Sequence, residues 1–195
     1  MNKRDFLFAS TLGAAVLPSG LLAQQSPHSA KSPTLLTVSG SIGKGNRGPL
    51  NPALDQMMSK QKIKFDKACA FDFTALTALP ATSIKPTLEY DNRVHTLKGP
   101  LLTEVLRACA SPTDGTRLLL RAVDGYSIFI SMADVRKYRF IVATHLDGQP
   151  MPLGGLGPLW AVYDADQFAD MAAKPVNERF ALCPWALYHI EVQPA

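Results

Sequence analysis

Arg117-Leu118-Leu119-Leu120-Arg121-Ala122-Val123-Asp124-Gly125-Tyr126-Ser127-Ile128-Phe129-Ile130-Ser131 is the stretch whose reading decides the fold. An Asp-Gly pair between two apolar runs is a strong hairpin signal, because glycine enters the positive-φ region that a tight turn demands without a Cβ clash. The stretch therefore reads as two antiparallel strands, Arg117–Val123 and Tyr126–Ser131, joined at Asp124-Gly125.

Outward from this hairpin the pattern stays strand-rich. Downstream, Ala133–Arg139 allows one or two helical turns, and Phe140–His145 reads as a strand that Asp147-Gly148 turns into Gln149–Pro152. Leu159–Tyr163 and Tyr188–Val192 read as the last strands. Upstream, Gly99–Cys109 is the clearest helix: Pro100 suits a first turn, and Leu101, Leu102, Val105, Leu106 and Cys109 share one face. Ser83–Tyr90 and Val94–Lys98 read as extended segments around an Asp91-Asn92-Arg93 turn, preceded by a short helix over Asp72–Leu79 that Pro80 ends. A first strand, Leu35–Val38, opens the domain at Thr34. The expectation is one strand-rich α+β domain over residues 34–195 with few, short helices.

The first 23 residues read as a leader outside the folded domain. Lys3 and Arg4 precede an apolar core of about 12 residues, Phe6–Leu17, and a Pro18-Ser19-Gly20 break leads to Leu21-Leu22-Ala23. That is the layout of a cleavable secretory signal, and the core is well short of the roughly 20 residues a membrane span needs. Lys3-Arg4-Asp5-Phe6-Leu7 resembles the twin-arginine export signature, with lysine in the first arginine place; ordinary Sec export stays open beside it. Gln24–Pro33 reads as a polar tether. The expectation is a periplasmic, soluble mature chain of about 172 residues, enough for one full core.

The net charge is +4, and loss of Lys3, Arg4 and Asp5 with the leader lowers it by one. So small and evenly spread an excess argues against nucleic acid, and no second apolar run approaches membrane length. Three cysteines remain. Their spacing does not assign a pairing, but Cys109 falls on the apolar helix face and reads as a buried hydrophobe, which leaves Cys69 with Cys183 as the preferred bridge. Gly43-Lys44-Gly45-Asn46-Arg47-Gly48 matches the dinucleotide fingerprint only in form, because Pro49 and Pro52 interrupt the helix that the motif requires. The four histidines stand far from any metal-ligand spacing. No side-chain pattern by itself identifies a reaction.

Three stretches in order carry a resemblance. They are Leu79-Pro80, Thr87-Leu88-Glu89-Tyr90 and Gly99–Leu106; then Asp124-Gly125-Tyr126-Ser127; then Leu146–Pro152 with Gly157-Pro158-Leu159-Trp160. Over roughly residues 35–193 this set resembles the oxidoreductase molybdopterin-binding domain family, the sulfite-oxidase-type fold. The resemblance implies a mixed-sheet, barrel-like architecture, a molybdopterin cofactor and oxidoreductase chemistry, with Tyr90, Asn92, Arg93, Tyr126 and Trp160 around the cofactor cleft. In that family a cysteine thiolate holds the molybdenum where this chain has Tyr90, and an arginine stands where this chain has Trp160. A phenol with a pKa near 10 forms an anion far less readily than a thiol does. The loop that grips the pterin is shortened to Asp91–His95, and Cys183-Pro184-Trp185 replaces a lysine-rich closing segment. Two functions follow as expectations: an exported molybdopterin-binding oxidoreductase-like protein, or a non-catalytic module that uses the same cleft for a small ligand or partner. No catalytic residue and no protein metal ligand is assigned in either.

Overall fold

Thr116–Ala122 and Ser127–Ser131 pair antiparallel, with Arg117 opposite Ser131 and Arg121 opposite Ser127. At the turn between them Asp124 Oδ1 accepts the Tyr126 N–H at 2.8 Å, and Gly125 takes φ 95°. The computed structural model describes residues 32–194. The proposed leader, residues 1–23, and all of the tether except Ser32 and Pro33 lie outside the described residues.

In chain order the elements are β1 (Leu36–Gly40), α1 (Gln56–Lys60), β2 (Cys69–Phe71), α2 (Phe73–Thr77), β3 (Ala81–Ile84), β4 (Leu97–Pro100), α3 (Leu102–Ala108), β5 (Thr116–Ala122) and β6 (Ser127–Ser131). They continue with α4 (Met132–Lys137), β7 (Ile141–Ala143), β8 (His145–Leu146), β9 (Gln149–Pro150), β10 (Trp160–Val162), α5 (Ala169–Ala172) and β11 (Leu187–Pro194). The main sheet runs β2-β1-β11-β5-β6, and only its β1–β11 pair is parallel. A second sheet runs β3-β4-β8-β9, and β7 pairs with β10 alone. The architecture is strand-rich α+β, as expected, but the sheets keep open edges and do not close into a barrel.

Alternation places the core. Leu36 and Val38 of β1, Ile190 and Val192 of β11, and Leu118 and Leu120 of β5 are fully or almost fully buried and belong to one apolar cluster with Leu102, Val105 and Leu106 of α3 and Val135 of α4. Burying a leucine of this kind contributes roughly 1.5–3 kcal/mol. The opposite face of the same strands is polar: Thr37, His189 and Arg121 lie opposite one another across β1, β11 and β5. Strands β7 and β10 are buried throughout and read as unbroken apolar runs.

Local chemistry explains the well-read elements. Asp72 caps α2, its Oδ1 accepting the Ala75 N–H at 2.7 Å, and Ser131 caps α4 through the Asp134 N–H. Asn92, at φ 56°, makes the Asp91–Arg93 turn, and Asp147 and Gly148 both take positive φ between β8 and β9.

Other expectations are corrected. Gly99 and Pro100 do not start a helix; they end β4, where Pro100 lies opposite Ala81. Leu101 bridges to Ile141, and α3 begins at Leu102, whose N–H bonds the Phe140 carbonyl at 2.8 Å. Sheet pairing thus overrides a helical apolar pattern. A Cβ on Gly99 would lie 1.9 Å from the Val142 carbonyl oxygen, so that position serves a close backbone crossing. The extended reading of Ser83–Tyr90 holds only to Ile84, and β4 begins at Leu97 rather than Val94. All three cysteines are free and buried. Cys69 neighbours Cys109, not Cys183: the Lys44 backbone joins Cys69 Sγ at 3.2 Å and the Cys109 carbonyl at 3.1 Å. The Gly43–Gly48 loop leads to no helix before α1.

Candidate functional site

Tyr90 sits in the turn after Leu88, and Tyr126 follows the β5–β6 turn. Between them opens a cleft of ≈ 230 Å³, lined by Glu89, Tyr90, Ala122, Asp124, Tyr126, Asn177, Phe180, Ala181, Cys183, Pro184 and Trp185. A second hollow of ≈ 400 Å³ shares Tyr90, Asp124 and Trp185 and extends over Val123 and Leu153–Leu156. Tyr90, Val123, Tyr126, Leu153 and Trp185 are five of the nine large apolar side chains exposed among the described residues. Their gathering here makes one exposed apolar patch rather than scattered surface apolarity.

Of the residues expected at the cleft, Tyr90 and Tyr126 line it. The Tyr126 hydroxyl donates to the Ala181 carbonyl at 2.7 Å, which ties the hairpin to the segment before β11. Asn92 and Arg93 are exposed in their turn and line neither hollow. Trp160 does not reach the cleft. It is fully buried in β10, donates Nε1–H to the Cys183 carbonyl at 2.8 Å, and packs on Phe180 with ring centroids 5.9 Å apart. Its role is to hold the cleft floor from below. Sequence reasoning missed Glu89, Phe180 and Trp185 as lining. Only the departure of Cys183-Pro184-Trp185 from the family's lysine-rich segment pointed towards them.

The electrostatics of the cleft disfavour anions. Burial, reinforced by the neighbouring Glu89 carboxylate, raises the Tyr90 phenol to about 12, so it stays protonated at neutral pH. Cys183 is the cysteine that the fold brings beside Tyr90, and burial pushes its thiol well above the usual range. No lysine, arginine or histidine lines the cleft.

Those features bear on molybdopterin, which would present a phosphate and a metal needing an anionic protein ligand. The phenol and the thiol here are both held neutral, two carboxylates face the space and no cation balances a phosphate. The described residues with orphaned buried polar atoms, Thr37 and Asp164, both lie elsewhere. Among the described residues no group of His, Cys, Asp and Glu side chains is placed to hold a metal. The residues of this cleft do not fit the group.

Two other places were candidates for chemistry. A hollow of ≈ 470 Å³ between Lys85, Tyr138, Arg139, Asp164 and Phe168 contains none of the expected residues; Asp164 accepts the Lys85 N–H at 3.0 Å through Oδ2 and leaves Oδ1 without a partner among the described residues. Ser39 Oγ lies 2.9 Å from His189 Nε2, the spacing of a nucleophile and its base. Arg121, however, lies 3.0 Å from Nδ1 and can only donate. Nδ1 is therefore the acceptor, Nε2 carries the hydrogen and gives it to Ser39, and the imidazole has no lone pair left for the serine proton. Both side chains are also fully buried. The pair is structural.

No family model matches the chain, and no curated protein matches it. Among solved structures it is similar to the crystal structure of the sulfane dehydrogenase SoxCD from Paracoccus pantotrophus, with a TM-score of 0.50 and 12% sequence identity over 80% of this chain. The chain spans 37% of that neighbour's length. A likeness at this identity is one of fold alone. Among the described residues no helix is long and apolar enough to cross a membrane.

Proposed function

We propose that this chain is an exported, non-catalytic binding module on a sulfite-oxidase-type fold, and that its aromatic cleft takes a small ligand. The observation that carries the reading is the cleft's lining: Tyr90, Tyr126 and Trp185 stand around it, and no lysine, arginine or histidine does. Exposed rings beside a concave floor supply stacking and apolar contact at little conformational cost. The export component rests on the residue 1–23 pattern, and the fold component on the ordered stretches together with the likeness to SoxCD.

A second reading, a molybdopterin-dependent oxidoreductase, is favoured by that same likeness of fold. Elemental analysis for molybdenum, with oxidative release of fluorescent pterin, separates the two in protein purified from the periplasm of its native host. The binding-module reading expects neither signal. A stoichiometric yield of both would overturn it, and loss of that yield in a Tyr90→Phe variant would assign the metal to this cleft.

A further inference from the structure

Two carboxylates in the cleft have no cation to balance them. Glu89 and Asp124 both line the space, and neither enters an ion pair among the described residues. Asp124 spends Oδ1 on the Tyr126 N–H at 2.8 Å, which leaves Oδ2 unpartnered among the described residues. Around these charges stand Tyr90, Tyr126 and Trp185, respectively 55%, 45% and 38% exposed.

Aromatic faces are electronegative, and carboxylates beside them deepen the same potential. An anion is repelled from such a place, and a neutral ligand leaves both charges unused. A compact, strongly hydrated primary ammonium would lose much of its hydration on entering an aromatic site. A methylated ammonium head is weakly hydrated and offers apolar surface to the rings while keeping its charge. The cleft between Tyr90 and Tyr126, at ≈ 230 Å³, is also below the size range of drug-like ligand sites, which begins near roughly 300 Å³.

Resting on the binding-module reading, we infer that the cleft binds a small quaternary ammonium compound, its head among Tyr90, Tyr126 and Trp185 and its charge balanced by Glu89 and Asp124. The Tyr126–Ala181 hydrogen bond holds one wall in place without using a ring face. The neighbouring hollow over Leu153–Leu156 leaves room for a short tail.

The test is calorimetric titration of the purified chain with choline chloride and, in parallel, with 3,3-dimethylbutan-1-ol, the uncharged isostere of choline. Choline is expected to bind saturably and at least about ten-fold tighter than the isostere, and to weaken as ionic strength rises. A Glu89→Gln/Asp124→Asn double variant, its fold checked by circular dichroism, should lose that preference. A Trp185→Leu variant should weaken both compounds. Equal binding of the two compounds, or no binding of choline at millimolar concentration, would overturn the inference. If indole then binds the cleft, the binding module stands and only its ligand class is wrong; molybdenum in the native protein would instead remove the module reading itself.

Discussion

His189 is fully buried between Ser39 and Arg121, and burial, helped by the Arg121 charge, lowers its pKa to about 3. The ring is therefore neutral in the folded protein, whereas an unfolded histidine takes up a proton near 6.5. Acid thus favours the unfolded chain: the contribution is complete above the unfolded pKa and is lost as pH falls towards the folded one. Between pH 7 and pH 5 the linkage integral is about 2 kcal/mol, and it hardly depends on the folded value as long as that lies well below 5. The window matters because Glu191 and Asp55, also held low, release their contributions only around and below the ordinary carboxylate range near 4. The perturbation is His189→Gln, with His189→Asn as a second replacement, since either keeps a polar group between Ser39 and Arg121 and removes the titration. Urea unfolding followed by tryptophan fluorescence at pH 7, 6 and 5 reads it out. Wild type should lose about 2 kcal/mol more than either variant over that interval. Equal losses in all three proteins would refute the reasoning and mean that protons reach the folded ring.

Gly99→Ala places a Cβ 1.9 Å from the Val142 carbonyl oxygen and 2.8 Å from the Ala143 Cα, both backbone. The expected cost is at least about 2–3 kcal/mol, a fall of roughly 5–10 °C in Tm by calorimetry; an unchanged Tm would show that β4 and β7 lie further apart. His95 behaves oppositely to His189. Hydrogen bonds to Asp147 at 2.7 Å and Asp91 at 3.0 Å raise its pKa, so its share of stability is present in acid and is lost as pH rises through the folded value. In Asp147→Asn the His95 ring-proton titration should move down towards the ordinary histidine value, and further than in Asp91→Asn, because the Asp147 bond is the larger cause.

What the sequence made legible was local. Asp124-Gly125, Asp91–Arg93 and Asp147-Gly148 each depend on a residue satisfying its own neighbourhood, and each stands where its chemistry put it. What stayed hidden depended on partners far away. The three-residue β2 exists because it pairs with β1, and its own composition gives no strand pattern. Gly99-Pro100 looked helical because the apolar spacing that follows is helical, yet β3 and β8 claim the backbone of β4 first. The site shows the same division. Tyr90 and Tyr126 were reachable through aligned stretches, but Phe180 and Trp185 reach the cleft only because the chain returns past β10 before β11. The resemblance placed Trp160 at the cleft, but β10 is buried on both faces.

Strand β11 lies between β1 and β5, so Thr37 finds its neighbour His189 only when almost the whole described chain has been made. A nascent polypeptide lacking these residues has β1 and β5 but no strand to join them, and the apolar faces of both remain open to water. Chains dominated by such distant pairings close slowly. Until Leu187 and the residues after it have been added, the central place of this sheet is empty. The strand that completes the sheet is thus the last of those described to be made.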